Sequence, residues 1–294
     1  MLSKTLMECM GMYFRLKDQA MTGNRPYNSE PLENILKETL GPTSVMADIR
    51  DIKLTVTTVL GDRKPAELYL FRNYESPALI MGANDSANKT VRSSCAHLGE
   101  AMVGPEMQYL WKVARASGAA PSYFKQFGCF LDGGLIANNP TLDTLTEIHR
   151  RNVALHAVGR RSEVFKPTTL VSMGTGIPPT VNVREIDVCR PERIWDYSRL
   201  VSGISALGNL LVDQATASDA HVVDRAKAWC SMIGLPYFRF CPPLSSDIAM
   251  DETSDETLVH MLWETKVYMR RRTYDVQVLA KRLLHQPVHS HVSL

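Results

Sequence analysis

The chain has 294 residues, 45% of them hydrophobic and 22% charged, which is enough apolar material for one large domain or two small ones. A formal net charge of +2 with no basic tail gives no electrostatic bias toward nucleic acid. No run of 18 apolar residues occurs, and Lys4 and Glu8 interrupt the amino-terminal apolar stretch, so neither a membrane span nor a secretion leader is expected and the chain reads as cytoplasmic.

In chain order, Leu2, Leu6, Met10, Tyr13 and Phe14 fall at helical spacing, which predicts a helix over residues 2–16 with no evident N-cap, as though under way before Met1. A second helix is predicted around 31–38. IKLTVTTVL (52–60) alternates and is rich in β-branched residues, so it reads as a strand. ELYLFR (67–72) reads as another, either a hairpin partner or a sheet neighbour. Residues 80–105 mix Gly, Asn, Ser and Lys and read as a surface loop. A helix over 106–117 ends at Gly118, a C-cap glycine. A further helix begins after Asn139, a capping residue, with Pro140 at its first position. TTLVSM (168–173) reads as a buried parallel strand feeding Gly174-Thr175-Gly176. From 193 on the pattern is mostly helical. The last helix is predicted from a capping box, Thr253 to Glu256, through to about Leu284. The tail HQPVHSHVSL (285–294) is expected to be disordered. Strands alternating with helices predict an α/β layer architecture.

The six cysteines, at 9, 95, 129, 189, 230 and 241, are scattered, with no Cys-x-x-Cys pair. That argues against zinc and favours free thiols. The histidines show no metal spacing either, and no metal or cofactor is expected.

The chemistry centres on CFLDGGLIANNP (129–140). Asp-Gly is by itself a common turn dipeptide. Here Asp132 ends a short apolar run, and Gly133 and Gly134 let the backbone bend sharply beside a ligand. A helix follows. A carboxylate so placed lies at the carboxyl end of a strand, where open α/β sheets hold ligands. A nucleophile is harder to find. An acyl hydrolase of this architecture uses Gly-x-Ser-x-Gly, which is absent. The nearest miss, Gly203 to Gly208 around Ser205, follows a helical apolar period without a preceding strand. Ser172 is the other hydroxyl considered. Lys266, Arg270, Arg271, Arg272, Lys281 and Arg282 outnumber Glu264 and Asp275 on the last helix. That pattern suits a solvated helix face or, less simply, contact with an anionic membrane.

Several longer stretches can be named together: GMYFRLKDQ (11–19), RPYNSEPLENIL (25–36), KPAELYLFRNYESP (64–77), ARASGAAPSYF (114–124), FLDGGLIANNPTLDTLTEIH (130–149), LVSMGTG (170–176), VDRAKAWC (223–230) and LWETKVY (262–268). In this order they resemble the patatin-like phospholipases, with the strongest likeness to the catalytic domain of the group VI calcium-independent phospholipases A2. The resemblance covers the chain to about residue 284; residues 78–105 match poorly.

The resemblance implies a three-layer sandwich, a mostly parallel sheet between helices. It also implies hydrolysis of glycerophospholipid acyl esters by a Ser-Asp dyad, without calcium. In that scheme Asp132 is the proton acceptor, Gly133 and Gly134 complete its motif, and no cofactor is needed. The family's oxyanion glycine loop and serine elbow lie upstream of the segment matching GMYFR. The expectation is therefore a partial patatin-like domain over 1–284, truncated at its amino end, with half of the dyad. Asp132 without a nucleophile or oxyanion donors would be inactive alone, since each missing donor costs on the order of 3 kcal/mol of transition-state stabilisation. The alternative expectation is a non-catalytic short form that binds lipid surfaces or dimerises with a longer partner.

Overall fold

The computed structural model describes residues 4–82, 104–180 and 216–284. They fall into two compact units.

The first unit runs to Phe165 and takes in 216–218. It opens with α1 (Leu6–Ala20) and α2 (Ser29–Leu40). The first helix is not continued from upstream residues. Thr5 caps it, and its backbone N–H donates to the Glu8 carboxylate at 2.6 Å while Glu8 N–H donates back to the Thr5 hydroxyl. This capping box, Thr-x-x-Glu, stands in the sequence and corrects the expectation of an uncapped helix. Asn28 caps α2 through Glu30 N–H.

Strand β1 (Thr55–Leu60) pairs antiparallel with β2 (Glu67–Arg72) and, on its other edge, with β3 (Phe130–Asp132). The two predicted neighbours thus form a hairpin. Thr58, Val59 and Leu60 are all buried, as a central strand covered on both faces requires. β2, at the edge, alternates instead and buries Tyr69 and Phe71. Tyr69, Phe71 and Phe130 meet at centroid distances of 5.1 to 5.7 Å. Against them pack Met46, Leu60, Val113, Ala116 and Phe127. Truncating one of these fully buried rings costs about 3–5 kcal/mol.

Helix α3 (Pro77–Ile80) is short. Helix α4 (Leu110–Ser117) is preceded by a 3₁₀ turn at Pro105–Met107, so the predicted helix is real but starts later; Gly118 follows it as expected. The Arg115 side chain is buried. It donates to Ser29 Oγ and Lys125 O, both at 2.7 Å, and lies over Phe124 and Phe127. It thereby ties the start of α2 to the segment that leads into β3.

After β3 comes α5 (Gly134–Ala137), then α6 (Thr141–Ala157). Pro140 holds the cap position of α6, and Asn139, one residue outside, accepts from Thr141 N–H and Thr141 Oγ. Helix α6 is joined to β2 by the bidentate pair Arg72–Glu147, at 2.6 and 3.0 Å, with Glu147 buried.

The second unit takes in 166–180 and 219–284. Here β4 (Leu170–Met173) pairs parallel with β5 (Tyr237–Phe240), and α7 (His221–Met232) lies between them in the chain. The parallel pairing of β4 is as expected. Its full burial is not, because Met173 is 79% exposed. Helix α8 (Asp255–Arg271) is capped by Ser254 through Thr257 N–H, one residue on from the predicted box. The single long helix expected to Leu284 is broken at Arg272, where α9 (Thr273–Leu284) begins. The Thr273 hydroxyl donates to Arg270 O next to the break.

The α/β class is borne out in its coarse form. Among the described residues, β4–β5 is the parallel pair, and β2-β1-β3 is antiparallel. Cys129 is disulfide-bonded, unlike the free thiols expected, whereas Cys9, Cys230 and Cys241 are free. Spacing alone does not decide pairing. Ser205 and the 285–294 tail lie outside the described residues, as does most of the predicted 80–105 loop.

Candidate active site

Asp132 is the last residue of β3 and stands in register with Thr58 of the central strand. Its backbone N–H donates to Ala119 O at 3.1 Å. The strand is held down next to it by the fully buried Thr58, whose hydroxyl donates to Leu131 O at 2.7 Å. The main chain around the carboxylate is therefore fixed on both sides by β1 and by the end of α4.

The glycines have separate tasks. Gly133 has ordinary helical backbone angles, φ −60 and ψ −26. Its need is space, because a Cβ there would lie 2.4 Å from Thr57 O. That carbonyl also accepts from the Ser117 hydroxyl at 2.8 Å, so it is not free to move away. A Cβ on Gly134 would lie 2.9 Å from Asp132 Oδ1. Without one, Gly134 N–H comes within 2.6 Å of Asp132 Oδ1 and donates to it. The glycines bring the backbone against β1 and against the carboxylate.

The Asp132 carboxylate is half-buried, and burial raises its pKa above the ordinary aspartate range, opposed by the Gly134 N–H bond. Among the described residues no Ser, Thr or Cys side chain hydrogen-bonds to it, and no cation is paired with it. Chemically this is a positioned carboxylate with one backbone donor and unused acceptor capacity, suited to taking a proton. Asp143, on the first turn of α6, is a second carboxylate whose pKa burial raises; no sequence signal marks it.

Two side chains beyond the motif define the surroundings. Asn138 Nδ2 donates to Thr216 O, and Asn139 Nδ2 donates to Ser218 O at 2.8 Å. The two successive carboxamides bring residues 216–218 next to the loop that follows Asp132. The sequence reading gave Asn139 a capping role and Asn138 none.

Gly174-Thr175-Gly176 belongs to the second unit. Gly174 N–H donates to Phe240 O at 2.8 Å, and a Cβ on it would lie 2.4 Å from Cys241 Sγ. Gly176 has φ +125 with Leu244 beneath it. Ser172 Oγ accepts from Arg239 Nη1 at 3.0 Å, and Arg239 Nη2 pairs with Asp219 at 2.9 Å. The Cys241 thiol donates to Asp219 at 3.1 Å; burial, with that carboxylate, pushes its pKa up. This turn is occupied by its own side chains, which argues against Ser172 as a nucleophile.

The site so far is a half-buried carboxylate on a strand end of a mixed α/β chain, followed by two close-packed glycines. Comparison with known proteins then places the chain. No family model matches it. It is 44% identical over 282 residues to the 85/88 kDa calcium-independent phospholipase A2 of Rattus norvegicus, with 96% of this chain and 34% of that protein covered. It is 32% identical over 294 residues to the intracellular phospholipase A2 of Caenorhabditis elegans, covering 98% and 25% respectively. A calcium-independent phospholipase A2-gamma of Rattus norvegicus is 26% identical over 304 residues, covering 94% and 32%. The chain is thus related over nearly its whole length to the calcium-independent phospholipases A2, and the patatin-like resemblance of its motifs is borne out. It spans about a third of the length of the rat relative. No helix among the described residues is long and apolar enough to cross a membrane.

Proposed function

We propose that this chain is the base-bearing part of a calcium-independent phospholipase A2, acting on glycerophospholipid acyl esters at a membrane surface from the cytoplasmic side. Residues 1–284 would form part of a patatin-like domain with a three-layer, mostly parallel core. Asp132 is the proton acceptor of a Ser-Asp dyad, and Gly133 and Gly134 are its close-packing partners. The observation that carries the reading is the Asp132 carboxylate itself: half-buried, raised in pKa, and holding one backbone N–H with capacity to spare. The kinship with proteins named phospholipase A2 supplies the substrate class.

No Gly-x-Ser-x-Gly occurs in the 294 residues, so the chain alone has no turnover on this reading. Two measurements test it. A fluorophosphonate probe should leave the 294-residue chain unlabelled; labelling that disappears with Asp132→Ala would overturn the inactivity. Fused behind the corresponding preceding segment of the rat relative, the chain should hydrolyse phospholipid, and Asp132→Asn should abolish that. A fusion equally active with Asp132→Asn removes the base assignment.

A second reading, a non-catalytic partner that binds lipid surfaces or dimerises, is favoured by α8 and α9. They expose Val259, Trp263, Tyr274 and Leu284 on helices that also carry Arg270, Arg271, Lys281 and Arg282. Exposed aromatic and basic residues on one pair of helices suit an anionic bilayer. Sedimentation with anionic vesicles and with neutral ones distinguishes the two: pelleting with neither leaves the helices as a solvated face.

A further inference from the structure

The two successive asparagines after the Asp132 loop differ in what they leave unused. Asn139 is buried and spends both ends of its carboxamide: Nδ2 donates to Ser218 O, and Oδ1 accepts from the Thr141 N–H and hydroxyl. Asn138 is exposed. Its Nδ2 donates to Thr216 O, and among the described residues its Oδ1 receives no donor. That oxygen is held where it is, because a reversed carboxamide would set Oδ1 against the Thr216 carbonyl, acceptor against acceptor.

The direction of the oxygen follows from the helical turn. Residues four apart on a helix lie one above the other, and their side chains lean toward its amino end. Asn138 follows the single turn of α5 with helical angles, φ −63 and ψ −31, so its side chain leans over Gly134. A Cβ on Gly134 would lie 3.2 Å from Asn138 Oδ1 and 2.9 Å from Asp132 Oδ1. Two acceptor oxygens thus converge on one spot beside a residue that has no side chain to fill it. An oxygen atom seated just outside that spot is within hydrogen-bonding reach of both, at about 2.8 Å from each. The guest such a pair fits best has two O–H bonds on one atom, which is water. A base takes one proton of an attacking water; a second acceptor for the other fixes the direction of its lone pair. An alcohol has only the first need.

We propose that Asn138 is a positioning residue for the water that releases the acyl chain, a role that rests on the reading of Asp132 as the base. The water donates one proton to Asp132 and the other to Asn138 Oδ1. Its oxygen bonds to the carbonyl carbon of the acylated serine as the first proton passes to Asp132 and the carbonyl pair moves onto oxygen. The tetrahedral centre then collapses. The bond from carbon to the serine oxygen breaks, and Asp132 returns the proton to that oxygen. The second water proton leaves with the fatty acid.

The experiment reads how the acyl group divides between water and methanol, in the fusion that carries the preceding segment of the rat relative. With phosphatidylcholine vesicles in a fixed fraction of methanol, mass spectrometry measures fatty acid against fatty methyl ester. Methanol has no second proton to place. Asn138→Ala should therefore lower the ratio of acid to ester about tenfold, the effect of losing roughly one hydrogen bond, while ester formation continues. Both products come from the same active molecules, so the ratio does not depend on how much of a variant folds. Asn139→Ala loses the parallel bond to residue 218 but no spare oxygen, and should lower both products together at an unchanged ratio. An unchanged ratio in Asn138→Ala, or loss of both products together, overturns the proposal. An equal drop in Asn139→Ala does so too, since it assigns the effect to the placement of 216–218. Asp132→Asn should abolish both products. If it does so while Asn138→Ala keeps the ratio, the base stands and the acceptor role of Asn138 falls. A fusion without turnover, or one indifferent to Asp132→Asn, removes both.

Discussion

Two strand ends in this molecule run into glycine turns, and they are built to opposite purposes. At the end of β3, Gly133 and Gly134 draw the backbone against β1 and leave the Asp132 carboxylate with one N–H partner. At the end of β4, Gly174 makes room for Cys241 and the Arg239 guanidinium, which are themselves engaged with Asp219 and Ser172. Glycine supplies close approach in both. The difference lies in what the approach leaves over. The first turn keeps acceptor capacity beside a half-buried acid; the second spends its polar groups on one another. A glycine turn is thus a sign of crowding, and spare hydrogen-bonding capacity is the better sign of chemistry.

The comparison is broken most sharply by activity. In the fusion that supplies a serine segment, Asp132→Asn should lower turnover by about 10²- to 10⁴-fold, the usual contribution of a positioned base. Ser172→Ala in the same fusion should leave turnover unchanged; a comparable loss there would erase the distinction between the turns. Next come the glycines. Gly133→Ala drives a Cβ into the Thr57 carbonyl, which is main chain held by Ser117, and should cost about 3 kcal/mol in urea unfolding. Gly174→Ala meets side chains that have some freedom, so its cost should be about 1–2 kcal/mol. Equal costs would mean that the two approaches are equally rigid.

The smallest effect is the pH dependence. Asp132 has a raised pKa in the folded state, so the native protein binds more protons than the unfolded chain between the unfolded and folded pKa values. Stability attributable to this group falls as pH rises through that window. Asp132→Asn should therefore raise the melting temperature slightly at pH 7. The gain should vanish below about pH 4, the ordinary aspartate range. A melting temperature that the substitution lowers at pH 7 but not at pH 4 would give the shift the opposite sign.

Much of this was legible in the chain, for physical reasons that differ by residue. β1 and β2 were readable because period-two patterning and β-branched residues are local signals. Asp132 was readable because the glycines beside it have no use in a plain strand. The Thr5–Glu8 capping box was equally local, yet the apolar period starting at Leu2 drew the helix boundary past it. The break at Arg272 hides inside an unbroken helical period, with no Gly or Pro to mark it. Other features were out of reach. The Asn138–Thr216 and Arg72–Glu147 bonds join residues 78 and 75 apart, and no single sequence pairs such positions. The same holds for the antiparallel pairing of β3 with β1, which a three-residue strand is too short to announce.

The central position of β1 has a consequence for the timescale on which Asp132 is held. A strand paired on both edges and buried through Thr58, Val59 and Leu60 surrenders its amide protons to deuterium chiefly through global opening. Asp132 shares register with that strand, and its own amide is bound to Ala119. Its backbone should therefore rank with the slowest-exchanging in the first unit. The acid is thereby anchored to the part of the first unit that should open last.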